Sequence, residues 1–357
     1  KYLIIKTMKI NIFSIWLLSL IVSICAIILI GGYTRISDSG LSITEWLPVT
    51  GVMYPLNNYQ WQVEFSKYQQ IDEFMLVNST MTLNEFKVIY FWEWFHRFFA
   101  RLIGALYLIP LIYLLIKKKI HRSYQLRIFS IGFLLGVQAV IGWYMVKSGL
   151  VGRIDVSQYR LAMHLTMAFV ILGITFQTLL DSNMKYISNK KFYYKPGNAF
   201  LFLLLFLFIF LQIAYGAFVS GTHSGLLFNT WPMYDGNIFP LIENNLLSGF
   251  VNFFETREYI IFVHRTSALL ILLLVIYINY ILYKKNGAIS KSYLLLAFNF
   301  TFILQILLGV MMTFQNIPWH LALAHQGNSI ILFLISLSMW MLSKKSLQKN
   351  FNEETLS

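Results

Sequence analysis

Cysteine is nearly absent from this 357-residue sequence, in which Cys25 is the single example. One thiol cannot form an intramolecular disulfide, and it argues against a metal site built on several thiolates. Charged residues are also scarce, at 12% of the chain, whereas 57% of the residues are hydrophobic. Soluble domains of this size do not consist of successive apolar stretches of about 20 residues, so the composition indicates a multi-span membrane protein.

Acidic residues are few, with 15 Asp and Glu against 28 Lys and Arg, and the formal net charge is +13. Eighteen of those cations fall in five clusters at alternate ends of the apolar stretches. This is the positive-inside pattern of membrane insertion, so the excess charge does not indicate a nucleic-acid partner. It predicts that both termini are cytoplasmic. The clusters are 1–9, 117–127, 185–195, 284–291 and 344–349.

The apolar stretches predict eight transmembrane helices, and we interpret the first as a retained span rather than a signal peptide. Two long loops, about 33–88 and 221–256, lie on the outer side. The predicted spans are 10–32, 89–116, 124–147, 158–180, 197–220, 257–283, 291–313 and 319–343.

The first long loop carries helix signals of its own. Trp61, Phe65 and Tyr68 recur at helical spacing within residues 57–77, which predicts an amphipathic helix on the membrane surface. Thr82 and Glu85 form a capping-box pattern, so the second span should begin as a helix outside the bilayer.

An internal repeat divides the chain into two halves, 1–195 and 196–357. The first-loop motifs around Gly31, Ser39 and Trp46 return 185 residues later, and each half begins with an outward-running span. We therefore predict an all-α integral membrane protein of two four-helix bundles related by a pseudo-twofold axis along the membrane normal. The other repeated pairs are His96-Arg97 with His264-Arg265, Gln138 with Gln305, Gly142 with Gly309, and His164 with His325.

Four histidines lie in spans two, four, six and eight, near the outer ends of those spans: His96, His164, His264 and His325. Ionisable groups at membrane depth are costly and mark functional sites. Two histidines on facing helices are the usual axial ligands of a haem iron in a helical bundle. Zinc would require more ligands, and a proton relay would favour chains that include carboxylates.

Arginines near the outer face are candidates to pair with haem propionates. Small residues beside the histidines would let a helix or a macrocycle approach closely. The candidate arginines are Arg35, Arg97, Arg101 and Arg265, with Arg153 and Arg160 nearby, and the glycines are Gly31, Gly32, Gly142, Gly216 and Gly309.

The two halves differ at a position close to the first histidine. Glu93 aligns with Ile261, and Arg101 aligns with Leu269. The first half alone therefore places a carboxylate one helical turn from a predicted axial ligand. This difference predicts that the first site acts on its haem and that the second holds a haem for electron transfer.

Several motifs together resemble the haem A synthase family, in the branch shared by mitochondria and proteobacteria. The similarity runs over essentially all eight spans, although this chain lacks the outer-loop Cys pair of some prokaryotic members. The matching elements are Gly31-Gly32-Tyr33-Thr34-Arg35, Ser39-Gly40-Leu41-Ser42, Trp46, Pro48-Val49-Thr50-Gly51, Glu93-Trp94-Phe95-His96-Arg97, Trp231-Pro232-Met233, His264-Arg265 and His325-Gln326.

The resemblance implies an oxidoreductase that converts haem O to haem A, for cytochrome oxidase biogenesis, by oxidising a ring methyl to a formyl group. It implies that His96 and His164 flank the substrate haem, with Glu93 as the catalytic residue. His264 and His325 would hold a haem b cofactor by bis-His ligation. A di-haem cytochrome that only transfers electrons is the alternative, and a transporter is a more distant one.

The expected partners are haem O and the lipid bilayer, with haem O synthase and an electron-transfer protein as further candidates. The sequence leaves a homo-oligomer open. Its Lys-, Ile- and Asn-rich composition, without an Arg/Ser-rich presequence, favours a bacterial inner membrane over the mitochondrial inner membrane.

Overall fold

The computed structural model describes residues 11–188, 199–241, 249–286 and 293–354. These residues are mostly helical, and their one β-type pairing is an isolated bridge between Tyr234 and Asn237. The helices are α1 (Ile12–Ile36), α2 (Asn58–Tyr68), α3 (Asp72–Leu76), α4 (Leu83–Ile116), α5 (Arg122–Lys147), α6 (Gln158–Ser188), α7 (Ala199–Gly221), α8 (Asn252–Glu255), α9 (Arg257–Asn286), α10 (Tyr293–Phe314) and α11 (Trp319–Glu354).

Eight of these helices are long and apolar enough to cross a membrane: α1, α4, α5, α6, α7, α9, α10 and α11. This confirms the predicted all-α fold with eight spans. The chain divides into two compact units, Asn11–Thr178 and the residues from Leu179 onward. The boundary at residue 195 and the pseudo-twofold relation between the halves remain predictions from the repeat.

Within the first unit, α1 packs against α4. In the second unit, α7 packs against both α9 and α11, and α10 packs against α11. Both units therefore hold together mainly through pairs of long apolar helices. The contact of α1 with α4 brings the Gly31 end of one helix next to the His96 end of the other.

Helix α4 begins outside its apolar stretch, as the sequence predicts. The Thr82 hydroxyl accepts a hydrogen bond from the Glu85 backbone N–H, and the Glu85 carboxylate accepts one from the Thr82 N–H at 2.8 Å. This capping box satisfies two of the donors that a helix start leaves unpaired. The extra turns carry aromatic residues such as Phe86 and Tyr90 at the N-terminal end of α4.

The predicted surface helix of the first loop is wrong in two respects. It is two helices, α2 and α3, and not one. Its apolar face of Trp61, Phe65 and Tyr68 is buried against Phe86 and Tyr90 of α4, and does not face lipid. The N-terminal turns of α4 supply an aromatic surface, and burying large rings against it is strongly favourable.

Gly132 on α5 lies where α4 comes very close. A Cβ built at Gly132 would lie 2.3 Å from the hydroxyl of Tyr107, which donates a hydrogen bond of 2.8 Å to the Ile128 carbonyl. We expect Gly132→Ala to destabilise the protein by about 1–3 kcal/mol through overpacking. Thermal unfolding of the purified protein in detergent would measure the loss.

Gly136, one turn further along α5, is the matched control, because a Cβ there has no neighbour within 4 Å. Gly136→Ala should leave the melting temperature unchanged or raise it, since alanine favours the helix. Equal melting temperatures for the two variants would contradict the expected clash.

Candidate functional site

The first histidine pair meets inside the unit formed by residues 11–178. His96 on α4 and His164 on α6 have ring centroids 6.4 Å apart, with ring planes inclined at 63°. Both rings are half-buried, and the Nδ1 atom of each is buried without a hydrogen-bond partner among the described residues. Two imidazoles that each bind one shared metal at about 2 Å have centroids roughly 6 Å apart, so this spacing suits a common metal.

All four membrane histidines pack against a glycine on another helix. In each case the Cε1 atom of the ring is the nearest neighbour of a Cβ built on the glycine, and at three of the four glycines the distance leaves little room for a side chain. These are four of the five glycines that the sequence predicts as sites of close approach. Distances from an ideal glycine Cβ to Cε1 are 2.9 Å for Gly31 and His96, 3.0 Å for Gly142 and His164, 3.5 Å for Gly216 and His264, and 3.2 Å for Gly309 and His325.

Glutamines on neighbouring helices support two of the histidines. The Gln138 amide donates to the His164 carbonyl at 3.0 Å, and the Gln212 amide donates to the His264 carbonyl at 2.8 Å. Gln212 also lies 3.2 Å from the His264 ring nitrogen Nδ1 and accepts a hydrogen bond from Ser267. Such partners orient a ligating histidine.

Sequence reasoning missed Gln212. A usable signal was present, because Gln212 is a lone amide in the apolar stretch of α7, four residues before Gly216. Its counterpart in α1 is Ile27, so the repeat comparison alone could not find it.

The second pair is His264 on α9 and His325 on α11, both within the unit that begins at Leu179. Both rings are half-buried, and each packs against a glycine, Gly216 for His264 and Gly309 for His325. The Nδ1 atom of His325 is buried without a partner in the described ranges. Between α11 and α10, the amide of Asn328 donates a hydrogen bond of 2.7 Å to Gln305.

Glu93 is buried, with 3% of its surface exposed, and both of its carboxylate oxygens are engaged. One oxygen accepts hydrogen bonds from the Ser42 hydroxyl at 2.7 Å and the Ile43 N–H at 2.8 Å. The other accepts from the Arg97 guanidinium at 2.6 Å. Two further neutral donors around an ion pair are what a buried carboxylate requires, so the first loop and α4 together fix Glu93 as a rigid group.

Arg97 and Arg265 make equivalent contacts in the two halves. Their guanidiniums donate to two carbonyls, of residues two apart in the preceding loop. The acceptors are Ile43 at 3.0 Å and Glu45 at 2.9 Å for Arg97, and Phe228 at 3.1 Å and Thr230 at 3.0 Å for Arg265. The acceptor positions are offset by 185 residues, the offset of the loop repeat. The sequence repeat is therefore also a repeat of contacts.

The other predicted propionate partners also have protein contacts. Arg35 pairs with Asp38 at 2.8 Å and with Asp155 at 3.5 Å. Arg101 donates to the carbonyls of Leu47 at 2.8 Å and Pro48 at 3.0 Å, but its Nη1 is buried without a partner in the described part of the chain. Among the four predicted arginines, Arg101 therefore has the N–H donor that is most clearly available to a propionate.

Glu73 in α3 is a second buried carboxylate, outside the spans. It is 5% exposed, and its Oε2 has no hydrogen-bond partner among the described residues. Burial first, and then the negative charges of Glu93 and Asp38, raise the pKa of Glu73 from 4.5 to about 8. A desolvated carboxyl group prefers its neutral form.

This raised pKa predicts that the protein loses stability as pH rises. The folded state holds the Glu73 proton up to about pH 8, whereas the unfolded chain releases it near pH 4.5, so folding becomes less favourable between those values. The slope is about 1.4 kcal/mol per pH unit. We expect Glu73→Gln to flatten the fall in melting temperature between pH 5 and pH 8. An unchanged slope would contradict this role for Glu73.

The donor sets suit a haem iron better than zinc. Each unit offers two imidazoles, the Nδ1 atoms of His96, His164 and His325 are buried without a hydrogen-bond partner among the described residues, and Glu93 beside the first pair is fully occupied. Paired axial imidazoles are a haem ligation pattern, whereas zinc in proteins takes three or four protein ligands. The residues present therefore fit a haem at each pair.

The fold and the site define a class: an eight-span helical membrane protein with two matched pairs of histidines on its even-numbered spans. The chain belongs to the cytochrome oxidase assembly protein family, whose family model matches residues 14–337.

Its relatives include bacterial proteins named "Heme A synthase". That of Rhizobium rhizogenes is 38% identical over 329 residues, which cover 91% of this chain and 88% of the relative. That of Maricaulis maris is 39% identical, covering 90% and 93% of the two chains. That of Wolbachia pipientis from Culex pipiens is 40% identical, covering 90% and 94%.

Proposed function

We propose that this protein is a haem A synthase, a membrane oxidoreductase that oxidises one ring methyl of haem O to a formyl group. The observation that carries the proposal is the pair His96 and His164, each seated on a glycine, with the buried Glu93 one turn from His96. Family membership and relatives named "Heme A synthase" support the same activity. Haem A produced here would supply cytochrome oxidase.

His96 and His164 would hold the substrate haem. Their rings face each other at a spacing suited to one shared metal. Gly31 and Gly142 fix the ring positions from behind, and Gln138 holds the backbone of His164. These contacts would keep the reacting edge of the substrate at a constant distance from the protein wall, which is how positioning lowers a barrier.

Glu93 would act through its fixed negative charge. Removing two electrons and one proton from a ring methyl leaves positive charge on that carbon, and a preorganised carboxylate would stabilise such charge. Both oxygens already accept hydrogen bonds, from Ser42, Ile43 and Arg97. Electrostatic stabilisation by Glu93 is therefore favoured over acceptance of a proton from the methyl group.

His264 and His325 would hold a haem b, which supplies one-electron transfer when bound. The second half has Ile261, 5% exposed, where the first half has Glu93, so this site has no carboxylate at that position. The contacts of Gln212 and Ser267 would fix the His264 ring and tune the ligand.

The protein is multi-span, and we propose a bacterial inner membrane as its location, with both termini in the cytoplasm. The cation clusters support that orientation. A haem O synthase that delivers the substrate, and a protein that accepts electrons, are the partners that the reaction requires.

Expression in a host that makes haem O but has no haem A synthase would test the proposal. We expect chromatography of extracted haems to show haem A with the wild-type chain and only haem O with His96→Ala. The His264→Ala variant should lose one spectrally distinct haem from the purified protein.

Each alternative predicts a different result. Purified protein with two haems and no haem A in the host would support an electron-transfer cytochrome. Purified protein without visible haem absorption would support a transporter. Either result would overturn the proposed activity.

A further inference from the structure

A pocket of about 530 Å³ opens where α5 ends and α6 begins. This volume lies within the usual range of small-molecule sites. Its lining combines aromatic rings with three cations, and no acidic residue lines it. The residues that matter are Trp143, Tyr144, Lys147, Arg153 and Arg160.

None of the three cations has a carboxylate partner among the residues that the structure describes. Within the described ranges, neither Lys147, Arg153 nor Arg160 forms a salt bridge, and Arg153 makes only long contacts of 3.4 Å, to Gln158 and to the carbonyl of Asp155. Three like charges around one pocket repel each other. An anion bound between them would relieve that repulsion.

Aromatic rings hold two of these cations without neutralising them. The Arg160 guanidinium lies 3.6 Å from the Tyr144 ring centroid and donates to the Tyr144 carbonyl at 2.7 Å. Lys147 lies 5.2 Å from the Trp143 ring centroid. Cation–π contacts keep the positive charge in place and available. The N-terminus of α6 adds its own partial positive charge.

The pocket adjoins the first histidine pair. Arg160 precedes His164 by four residues on α6, a rise of about 6 Å along the helix. Tyr144 follows Gly142, the glycine behind His164, by two residues on α5. Arg160 shares the helix face of His164, about one turn closer to the start of α6, so the pocket lies beside the first histidine pair at that end of the helix.

The second half has no equivalent charge. Aligned positions on α10 and α11 are apolar, and the connection between those helices is short. The cationic residues of the pocket are therefore missing beside the His264 and His325 pair, and they occur in the half that carries Glu93. The aligned residues are Val310 for Trp143, Met311 for Tyr144, Phe314 for Lys147 and Leu321 for Arg160.

We propose that this pocket binds the carboxylates of the haem substrate and so sets which edge of the ring faces the catalytic group. The inference rests on the proposed function of the His96 and His164 pair. Guanidinium groups bind carboxylates through paired, charge-assisted hydrogen bonds. The Arg97 guanidinium, by contrast, already donates hydrogen bonds to Glu93 and to two loop carbonyls.

A titration of the full-length protein with two probes tests this assignment. The probes are iron protoporphyrin IX, which carries two carboxylates, and its dimethyl ester, which carries none. Binding to the first site is measured as the change in visible absorption that occurs in the wild type but is lost in the His96→Ala variant. We expect the wild type to prefer the acid, and Lys147→Gln/Arg153→Gln to weaken acid binding by about tenfold to a hundredfold while ester binding is unchanged.

Lys87→Gln is the matched control, because Lys87 also lies over a tryptophan, 5.4 Å from the Trp61 ring centroid. It should keep the full preference for the acid. An unchanged acid-to-ester ratio in the double variant would overturn the inference. The inference would also be overturned if the double variant lost bound phosphatidylglycerol but kept the wild-type acid-to-ester ratio, because the pocket would then be a site for a lipid headgroup. Absence of any His96-dependent binding in the wild type would instead refute the proposed function.

Discussion

Replacing Glu93 with glutamine should lower haem A formation by about a hundredfold to a thousandfold, the usual loss when a preorganised electrostatic group is removed. Glutamine keeps the size of the side chain but loses the charge. It would also leave Arg97, which donates to Glu93 at 2.6 Å, without its counter-charge. Haem A and haem O extracted from the expressing host, measured by chromatography, give the yield directly.

Glu85→Gln on the same helix is the control for Glu93→Gln. Glu85 closes the capping box with Thr82, and glutamine serves in that motif as well. Its haem A yield should match the wild type. The haem content of purified Glu93→Gln should also stay at the wild-type level, because neither histidine pair is touched. A wild-type yield from Glu93→Gln would refute the catalytic assignment, and lost haem would make Glu93 a structural residue.

Adding a methyl group at Gly31 should displace the His96 ring and weaken haem binding at the first site by about tenfold to a hundredfold. An ideal Cβ at Gly31 lies 2.9 Å from the His96 Cε1, closer than real Cβ atoms approach their neighbours. The ring cannot retreat without changing its angle to His164, 6.4 Å away. Titration of the His96-dependent absorption with iron protoporphyrin IX would measure the loss.

Two further glycines calibrate the Gly31→Ala result. Gly104 lies on α4, the helix that carries His96, and a Cβ there meets nothing within 4 Å. The Gly104→Ala variant should therefore bind haem as the wild type does. At Gly216 the distance to His264 is 3.5 Å, an ordinary contact, so Gly216→Ala should be tolerated in the second site. Equal haem affinity in Gly31→Ala and Gly104→Ala would show that Gly31 does not position His96.

Strong, repeated signals made much of the fold predictable. Long apolar stretches require helices in a membrane, because no other structure there except a closed barrel satisfies the backbone. The capping box at Thr82 and Glu85 is local chemistry, and it is present as predicted. The offset of 185 residues also predicted which loop positions correspond, and the contacts of Arg97 and Arg265 follow that correspondence.

What failed depended on contacts distant in sequence. The apolar face of α2 could equally have faced lipid, and periodicity cannot tell lipid from the aromatic residues of α4. Glu93 accepts hydrogen bonds from Ser42 and Ile43, which lie about fifty residues earlier in the chain. The sequence around Glu93 therefore could not predict these donors. The cationic pocket was visible only as scattered arginines, because its walls come from two helices and a loop.

The hydrogen bond between Ser42 and Glu93 has an evolutionary consequence. In the second half, Ser42 corresponds to Leu227 and Glu93 to Ile261, so both polar partners are replaced by aliphatic residues. Losing the Ser42 hydroxyl alone would remove one donor from the buried carboxylate and leave it the Ile43 N–H and Arg97, so burial of Glu93 would cost more. The two positions are therefore energetically coupled, which favours their changing together. We likewise expect Ile261→Glu in the second half to destabilise the protein less when Leu227→Ser accompanies it.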